Sequence, residues 1–312
     1  MALNRFNSPR FDEEFVSDLA DEVDKAAICV AVSEEPSADI ARELLSLALF
    51  DAGARAITET PSGGLLAGMA TRDEAASVIA MLSRSHADLI AKISIAAEPD
   101  VHWTETQRGG FTPTSVGPWR IRTPWTRPPE SIEGRYDLQI DPGAAFGHGA
   151  HPTTRLALAL LTPWVGPSVS MVDLGTGTGV LAIAAARLGA DVLAIDNSDV
   201  ALETARKNLS LNAAGDFAKV ADRVSLRAGD IGAFSLTDED LVVANVTMDV
   251  QRLIAPALTA APRVIISGIL CRQVCDIFVA YPNHRAKIVK TVGEWAAVEF
   301  VGPARAAEGI TR

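Results

Sequence analysis

The sequence predicts an α/β protein whose larger, C-terminal part is a doubly wound sheet of seven strands. Strand and helix patterns alternate regularly after Thr153, which is typical of a parallel sheet covered by helices. The last two strand patterns, 286–292 and 296–301, follow each other without a helix. They therefore predict an antiparallel hairpin at one edge of the sheet. A smaller α+β part precedes this sheet.

The smaller part is predicted for residues 26–98. Its elements follow the order strand, helix, strand, strand, helix, strand, which is that of a ferredoxin-like α+β domain. Ser37 is the expected N-cap of the first helix, and Gly53 is expected to end it. The predicted strands are 27–32, 54–59, 65–70 and 91–95, and the second helix is 73–85.

Residues 99–140 differ in composition from both neighbours. They hold six of the prolines and three of the five tryptophans, with little helical periodicity, so we expect a linker or covering segment. Within it, 119–122 and 136–140 read as strands. The expected organisation is therefore a lead-in at 1–25, the ferredoxin-like domain at 26–98, the covering segment at 99–140 and the larger domain at 141–312.

The larger domain is predicted from spacing that becomes regular after the turn at 141–143. Apolar runs bounded by turn residues mark strands, and longer segments with a 3.6-residue period mark helices. The expected strands before the hairpin are 170–174, 191–196, 224–228, 240–246 and 263–268, and the expected helices are 154–162, 180–188, 199–212, 249–260 and 272–280.

Composition limits the classes of partner and compartment. A net charge of −11 argues against nucleic acid as the main partner, because phosphate binding needs a basic face. The longest apolar stretch, 180–195, is broken by Arg187 and Asp191, so no membrane span is expected. Three irregularly spaced cysteines and an N-terminus without a secretion signal favour the cytoplasm. We also expect a monomer.

A glycine turn at 175–179 follows the first strand of the large sheet and opens a helix. Glycines allow a ligand to approach the backbone closely, and the helix N-terminus offers N–H groups to an anionic group. The Gly175-x-Gly177-x-Gly179 spacing, with Val180 after it, departs from the dinucleotide pattern. Asp196, at the end of the next strand, is placed to accept from ribose hydroxyls. The alternative is that the glycines only permit a tight turn and Asp196 caps a helix.

Three of these features together resemble the class I methyltransferases that use S-adenosylmethionine. They are the glycine turn preceded by Asp173, the acid at the end of the second strand, and the terminal hairpin. The resemblance implies S-adenosylmethionine as the cofactor.

The stretch from Asp141 to Leu158 narrows the resemblance to one family. It reads DPGAAFGHGAHPTTRLAL and is similar to the DPGxAFGTGxHPTT loop of the PrmA family, which methylates ribosomal protein L11 of the large subunit. Similarity to the family continues through most of the chain. It includes 110–113, 119–121, 181–185, 244–246, 267–270 and 294–295.

The resemblance implies site residues at matching positions. Cofactor contacts fall on Thr154, on Gly175 with Thr176 and Gly177 of the same turn, on Asp196, and on Asn245. An N-terminal helix cap is an equally good interpretation of Thr154. Asn245, at the end of the fourth strand, is the expected catalytic residue, where its amide would receive the N–H groups of the incoming amine.

Other candidate residues are weaker. Asp230 follows the third strand and would accept from the adenine amino group; the alternative is a loop aspartate that only caps the next turn. His148 and His151 lie three apart, but the nearby sequence supplies no further ligands, so we expect no metal. Cys271 and Cys275, four apart on a predicted helix, are expected to be buried apolar side chains. Trp295 is expected in the core.

The function that the resemblance implies is transfer of methyl groups to lysine or N-terminal amines of ribosomal protein L11, with the ferredoxin-like domain recognising that substrate. Two alternatives stay open. One is a paralogous protein-lysine methyltransferase with another substrate, favoured by departures from the family pattern at His148, Ala150 and Thr247. The other is an inactive cofactor-binding factor for ribosome assembly.

Overall fold

The computed structural model describes residues 26–33, 38–54, 56–60, 62–97, 112–128, 136–143, 149–213, 219–233 and 239–303. The chain divides into two compact units, Met1–Trp103 and Thr104–Arg312. The predicted lead-in and the Ser37 cap lie outside the described residues. None of the helices in the described ranges is both long and apolar enough to cross a membrane.

The first unit is a four-stranded antiparallel sheet with two helices. Its strand order is β2-β3-β1-β4. Thr71 caps the second helix by accepting a 3.2 Å hydrogen bond from Glu74 N. Ile28, Leu45 and Leu82 are fully buried in the core between the helices and the sheet. The elements are β1 (Ala26–Val32), α1 (Ala38–Asp51), β2 (Ala56–Glu59), β3 (Leu65–Met69), α2 (Arg72–Ser85) and β4 (Ile90–Ala97).

The described residues of the predicted covering segment form a small three-stranded sheet within the second unit. Its strands are β5 (Thr114–Val116), β6 (Trp119–Arg122) and β7 (Tyr136–Gln139), in that order. Trp119 is buried, and its Nε1 donates a 2.7 Å hydrogen bond to Thr162 Oγ1. β5 was not predicted, because three residues are too few to show alternation.

The second unit is built on a seven-stranded sheet with the order β10-β9-β8-β11-β12-β14-β13. β10, β9, β8, β11 and β12 are parallel, and β14 pairs antiparallel with both β12 and β13. The predicted doubly wound sheet and its antiparallel hairpin are confirmed. The strands are β8 (Ser170–Leu174), β9 (Asp191–Asp196), β10 (Val224–Ala228), β11 (Leu241–Asn245), β12 (Arg263–Leu270), β13 (Arg285–Val292) and β14 (Trp295–Val301).

Six helices accompany this sheet in the described ranges. Five were predicted, and four of these begin or end away from their predicted bounds, the one from Val180 by a single residue at Arg187. The helix Lys219–Asp222 was not predicted. α3 begins at Pro152 with His151 as its N-cap. α7 ends at Ile254, because Pro256 has no N–H to continue it, and a 3₁₀ turn follows at Ala255–Leu258. A 3₁₀ turn at Cys271–Gln273 precedes α8. The helices are α3 (Pro152–Leu161), α4 (Val180–Arg187), α5 (Asp199–Asn212), α6 (Lys219–Asp222), α7 (Met248–Ile254) and α8 (Val274–Ala280).

The bulge in β12 is expected to be intolerant of any side chain at Gly268. This residue has φ +83°, and a Cβ there would lie 2.4 Å from the carbonyl oxygen of Val246. Gly293 has φ +57° and nothing near its Cβ position, so Gly293→Ala is the matched control. The control should lose about 1–2 kcal/mol of unfolding free energy. Gly268→Ala should lose clearly more, because a backbone atom must also move. Urea denaturation measures both, and equal losses would contradict the clash.

Candidate functional site

Three of the predicted site residues lie at the same edge of the large sheet. Gly175, Asp196 and Asn245 come at the carboxyl ends of β8, β9 and β11. The parallel registers pair Leu174 with both Ile195 and Ala244, so these ends are side by side. In open α/β sheets, ligands bind outside the carboxyl ends of neighbouring strands at the point where the strand order reverses, which here lies between β8 and β11. This edge is therefore the candidate site.

The glycine turn needs its glycines for conformation and for space. Gly175, Gly177 and Gly179 have φ values of +75°, +54° and +80°, in the left-handed region that disfavours side chains. A Cβ on Gly175 would also lie 2.6 Å from Cγ1 of Val246. The turn is thus packed closely against the end of β11.

The N–H groups of the turn bond within the chain. Gly175 N and Thr176 N donate to the carbonyl oxygen of Ile195 at 2.9 and 3.1 Å. Gly177 N donates to Asp196 Oδ2 at 2.9 Å. An anionic group at this place would therefore be bound by the first residues of α4 rather than by the turn itself.

Asp196 is positioned by backbone donors on both of its oxygens. Oδ2 accepts from Gly177 N, and Oδ1 accepts from Ser198 N at 3.0 Å. Burial is the main cause that raises the pKa of this carboxyl, and the backbone hydrogen bonds oppose it. The alternative role of Asp196 as a helix cap is wrong, because the N-cap of α5 is Ser198, whose Oγ accepts from Ala201 N.

Asp173 is fully buried beneath the glycine turn. Its Oδ2 accepts a 2.8 Å hydrogen bond from the hydroxyl of Thr176. Burial, together with the nearby charge of Asp196, raises the pKa of Asp173 to about 7, against the lowering effect of the Thr176 hydroxyl. The hydroxyl of Thr176 is therefore bonded inside the protein, and its backbone N–H donates to Ile195 O, so Thr176 could contact a ligand mainly through its backbone surface.

Asn245 and Thr154 are brought together from positions 91 residues apart. Asn245 Nδ2 lies 3.5 Å from Thr154 Oγ1, at the outer limit of a hydrogen bond. Asn245 Oδ1 is buried and has no hydrogen-bond partner among the described residues. Thr154 is not the helix cap, because α3 begins two residues earlier. Because Oδ1 of Asn245 lies at the sheet edge without a partner in the part of the chain that the structure describes, it can accept a hydrogen bond from a ligand N–H.

The N-terminus of α3 is fixed to the sheet by two neighbours of Thr154. The hydroxyl of Ser267, in β12, donates to the carbonyl oxygen of Thr153 at 2.9 Å, and both residues are fully buried. His151 caps the helix through Nδ1, which lies 3.3 Å from Thr153 N. The ring of Trp295 packs edge-on against His151 at 5.3 Å. Trp295 is buried as predicted, and it also supports this loop.

A second buried contact holds the ends of β11 and β12 together. Gln251 Nε2 donates to the carbonyl oxygens of Ala244 and Ser267, each at 3.0 Å, and the hydroxyl of Tyr281 donates to Gln251 Oε1 at 3.0 Å. Sequence reasoning missed the roles of Ser267 and Gln251. For Gln251 the signal in the sequence is a polar residue three positions from both Met248 and Ile254, on a helix face that is otherwise apolar.

The remaining candidates are Asp230, the histidine pair and the cysteine pair. Asp230 is exposed, two residues beyond β10, and its Oδ1 accepts from Gly232 N at 2.8 Å, so it forms the turn that was its alternative role. The described residues include no group of three or more potential metal ligands, and His148 lies outside them. Cys275 is exposed and Cys271 is half-buried, so the expectation that both are buried is wrong.

Comparison with known proteins gives concordant matches. The family described as "Ribosomal protein L11 methyltransferase (PrmA)" matches residues 12–302. A protein with that name from Desulfitobacterium hafniense is 38% identical over 196 residues. The match spans 60% of this chain and 60% of the relative, so about two fifths of the relative's length lies outside it. One from Desulforapulum autotrophicum is 30% identical over 295 residues, 92% of each chain. The crystal structure of a ribosomal protein L11 methylase from Lactobacillus delbrueckii subsp. bulgaricus has 28% identity and a TM-score of 0.54, covering 62% of this chain and all of that one.

The raised pKa of Asp173 predicts a pH-dependent contribution to stability. Between about pH 4, where an unfolded aspartate loses its proton, and pH 7, the folded protein holds one proton more than the unfolded chain. The contribution of Asp173 to the free energy of unfolding therefore falls as pH rises through that window, by up to about 1.4 kcal/mol per pH unit. Asp173→Asn replaces the titrating carboxyl with an amide that does not titrate, so the stability of this variant relative to wild type should increase as pH rises. Urea titrations at pH 5, 6, 7 and 8 test this, and a pH-independent difference would refute it.

Proposed function

We propose that this protein is an S-adenosylmethionine-dependent methyltransferase of ribosomal protein L11, because the chain belongs to the ribosomal protein L11 methyltransferase (PrmA) family. The observation in the site that carries the proposal is the buried, unpartnered Oδ1 of Asn245 at the carboxyl edge of β11. The acceptors are lysine side chains, the N-terminal amine, or both.

The residues present fit the methyl donor. Asp196 supplies carboxylate oxygens that retain acceptor capacity beyond their two backbone hydrogen bonds. The turn at Gly175, Thr176 and Gly177 supplies a backbone surface without side chains in the way, and Thr154 supplies a hydroxyl. Asp230 keeps one oxygen outside its turn and would contribute least. S-adenosylmethionine, when bound, supplies a methyl group on a positively charged sulfur that is its own leaving group.

The residues of this chain have to position a neutral amine. A lysine with a pKa of about 10.4 costs about 4.6 kcal/mol to deprotonate at pH 7. The amide of Asn245 accepts an N–H through Oδ1 without carrying a negative charge, so it orients the amine while stabilising its protonated form less than a charged acceptor would. A carboxylate in the same place would favour the ammonium ion. Positioning is then the main catalytic contribution.

Substrate recognition is assigned in this proposal to the ferredoxin-like domain at 26–98, with 99–140 as the covering segment and 141–312 as the catalytic domain. The proposal also includes a monomeric enzyme of the cytoplasm with no direct nucleic-acid partner. Support for a basic protein partner comes from the net charge of −11.

Methyl transfer from labelled S-adenosylmethionine tests the function directly. The chain should label purified ribosomal protein L11, and in a whole lysate the main labelled band should be that protein. A different labelled band would favour the paralogous methyltransferase, and binding without any transfer would favour an inactive factor. Either result would overturn the proposal.

Replacing Asn245 should separate turnover from cofactor binding. Asn245→Ala should lower kcat by about 100-fold or more, because the amine loses its orienting acceptor, while the Kd for S-adenosylhomocysteine changes by less than about 10-fold. Asn245→Asp should also be slow at pH 7 and should recover part of its rate at pH 9, where the amine deprotonates more readily. Asn283→Ala, at an exposed asparagine away from the site, is the control. Equal losses of binding and turnover in Asn245→Ala would contradict this role.

A further inference from the structure

One face of α5 runs along the chain that enters the active-site loop. Thr204, Asn208 and Asn212 are four residues apart, which is about 6.0 Å along a helix. Alternate residues of an extended chain are about 6.6 Å apart. The two spacings therefore match, and the three residues of the helix face lie beside Gly143, Asp141 and Gln139 in that order. A Cβ on Gly143 would lie 3.0 Å from Thr204 Oγ1. Asn208 bonds to Asp141, and Asn212 bonds to Gln139.

The two asparagines bind this chain in the manner of a neighbouring strand. Asn208 Oδ1 accepts from Asp141 N at 2.8 Å, and its Nδ2 donates to Asp141 O at 2.9 Å. Asn212 Oδ1 accepts from Gln139 N at 3.0 Å, and its Nδ2 donates to Gln139 O at 2.7 Å. Each side chain thus satisfies both backbone groups of one residue.

The third hydrogen bond of each asparagine differs. Asn208 Nδ2 also donates to the carbonyl oxygen of Thr178, in the glycine turn, at 2.9 Å. Asn212 Nδ2 instead donates to the carbonyl oxygen of Asn208, within its own helix, at 2.8 Å. Asn208 is fully buried and Asn212 nearly so, with 4% of its surface exposed. Of the two asparagines, Asn208 is the one that joins the loop entrance at Asp141 to the glycine turn at Thr178.

We propose that Asn208 is a positioning residue for the methyl-donor site, which holds the entrance of the loop at Asp141 and the glycine turn at Thr178 in one fixed arrangement. The loop that begins at Asp141 leads to Thr154, and the turn contains Gly175 and Gly177. Asn208 therefore fixes the backbone at Asp141 against the glycine turn while remaining outside the site. The identity of the ligand rests on the proposed function, whereas the hydrogen-bonded link does not.

Asn212→Ala is the matched control for Asn208→Ala. Each substitution removes three hydrogen bonds between 2.7 and 3.0 Å from a buried asparagine of the same helix. If Asn208 has only a structural role, the two variants should lose similar stability and should change the Kd for the ligand by similar factors. A positioning role predicts similar losses in Tm but different effects on the ligand.

The test is the Kd for S-adenosylhomocysteine, measured by calorimetry on the full chain. Asn208→Ala should raise this Kd about 10-fold or more, and Asn212→Ala should raise it less than 3-fold. Amide hydrogen exchange without ligand should increase at residues 175–179 in Asn208→Ala only. Equal Kd changes in the two variants, or unchanged exchange of the turn in Asn208→Ala, would overturn the proposal.

If Asn208→Ala does not fold, the pair Asn208→Ser and Asn212→Ser replaces it, with the same expected ratio of Kd values and the same overturning outcome. Wild-type protein that binds S-adenosylhomocysteine but does not methylate ribosomal protein L11 overturns the proposed substrate alone. Wild-type protein that does not bind S-adenosylhomocysteine overturns the cofactor site, and with it the positioning role.

Discussion

Three backbone segments meet around Val246, and the site depends on how closely they approach. The glycine turn after β8 lies on one side and the bulge of β12 on the other. A Cβ on Gly175 or on Gly268 would lie 2.6 or 2.4 Å from atoms of Val246, which is closer than such atoms tolerate. The segments meet only because two of them carry no side chain there. Their close approach places the ends of β8, β11 and β12 at one edge, where open α/β sheets bind ligands.

Buried side chains then fix this backbone from behind. Ser267 bonds to the carbonyl oxygen of Thr153, and Gln251 bonds to the carbonyl oxygens of Ala244 and Ser267. A buried polar group left without a partner costs about 1–3 kcal/mol, so any arrangement that broke these bonds would be disfavoured. Because the acceptors are backbone atoms one residue before Thr154, Asn245 and Gly268, the network positions the site without occupying it.

Local patterns predicted the parts of this architecture that depend on neighbours in sequence. The parallel strands, the glycine turn and the terminal hairpin follow from apolar runs and turn residues. Bonds across long separations left no such signal: Ser267 and Thr153 are 114 residues apart, and Asn208 and Asp141 are 67 apart. The predicted helix bounds were wrong where a single capping or proline residue decides where the helix begins or ends. In α3, for example, His151 is the N-cap and Pro152 is the first residue. The resemblance to a family supplied Asn245, which no spacing rule identifies.

The two sides of the site differ in how completely the protein satisfies its own polar groups. Both oxygens of Asp196 accept backbone N–H groups, so the side proposed to hold the cofactor is fixed by the chain's own hydrogen bonds. Asn245 Oδ1 has no partner in the described structure, so the other side is completed only by an incoming donor. Thr154 touches Asn245, and its neighbour Thr153 is tied to Ser267. Residues linked in one network do not contribute additively, so changes at Ser267 and Asn245 should be energetically coupled.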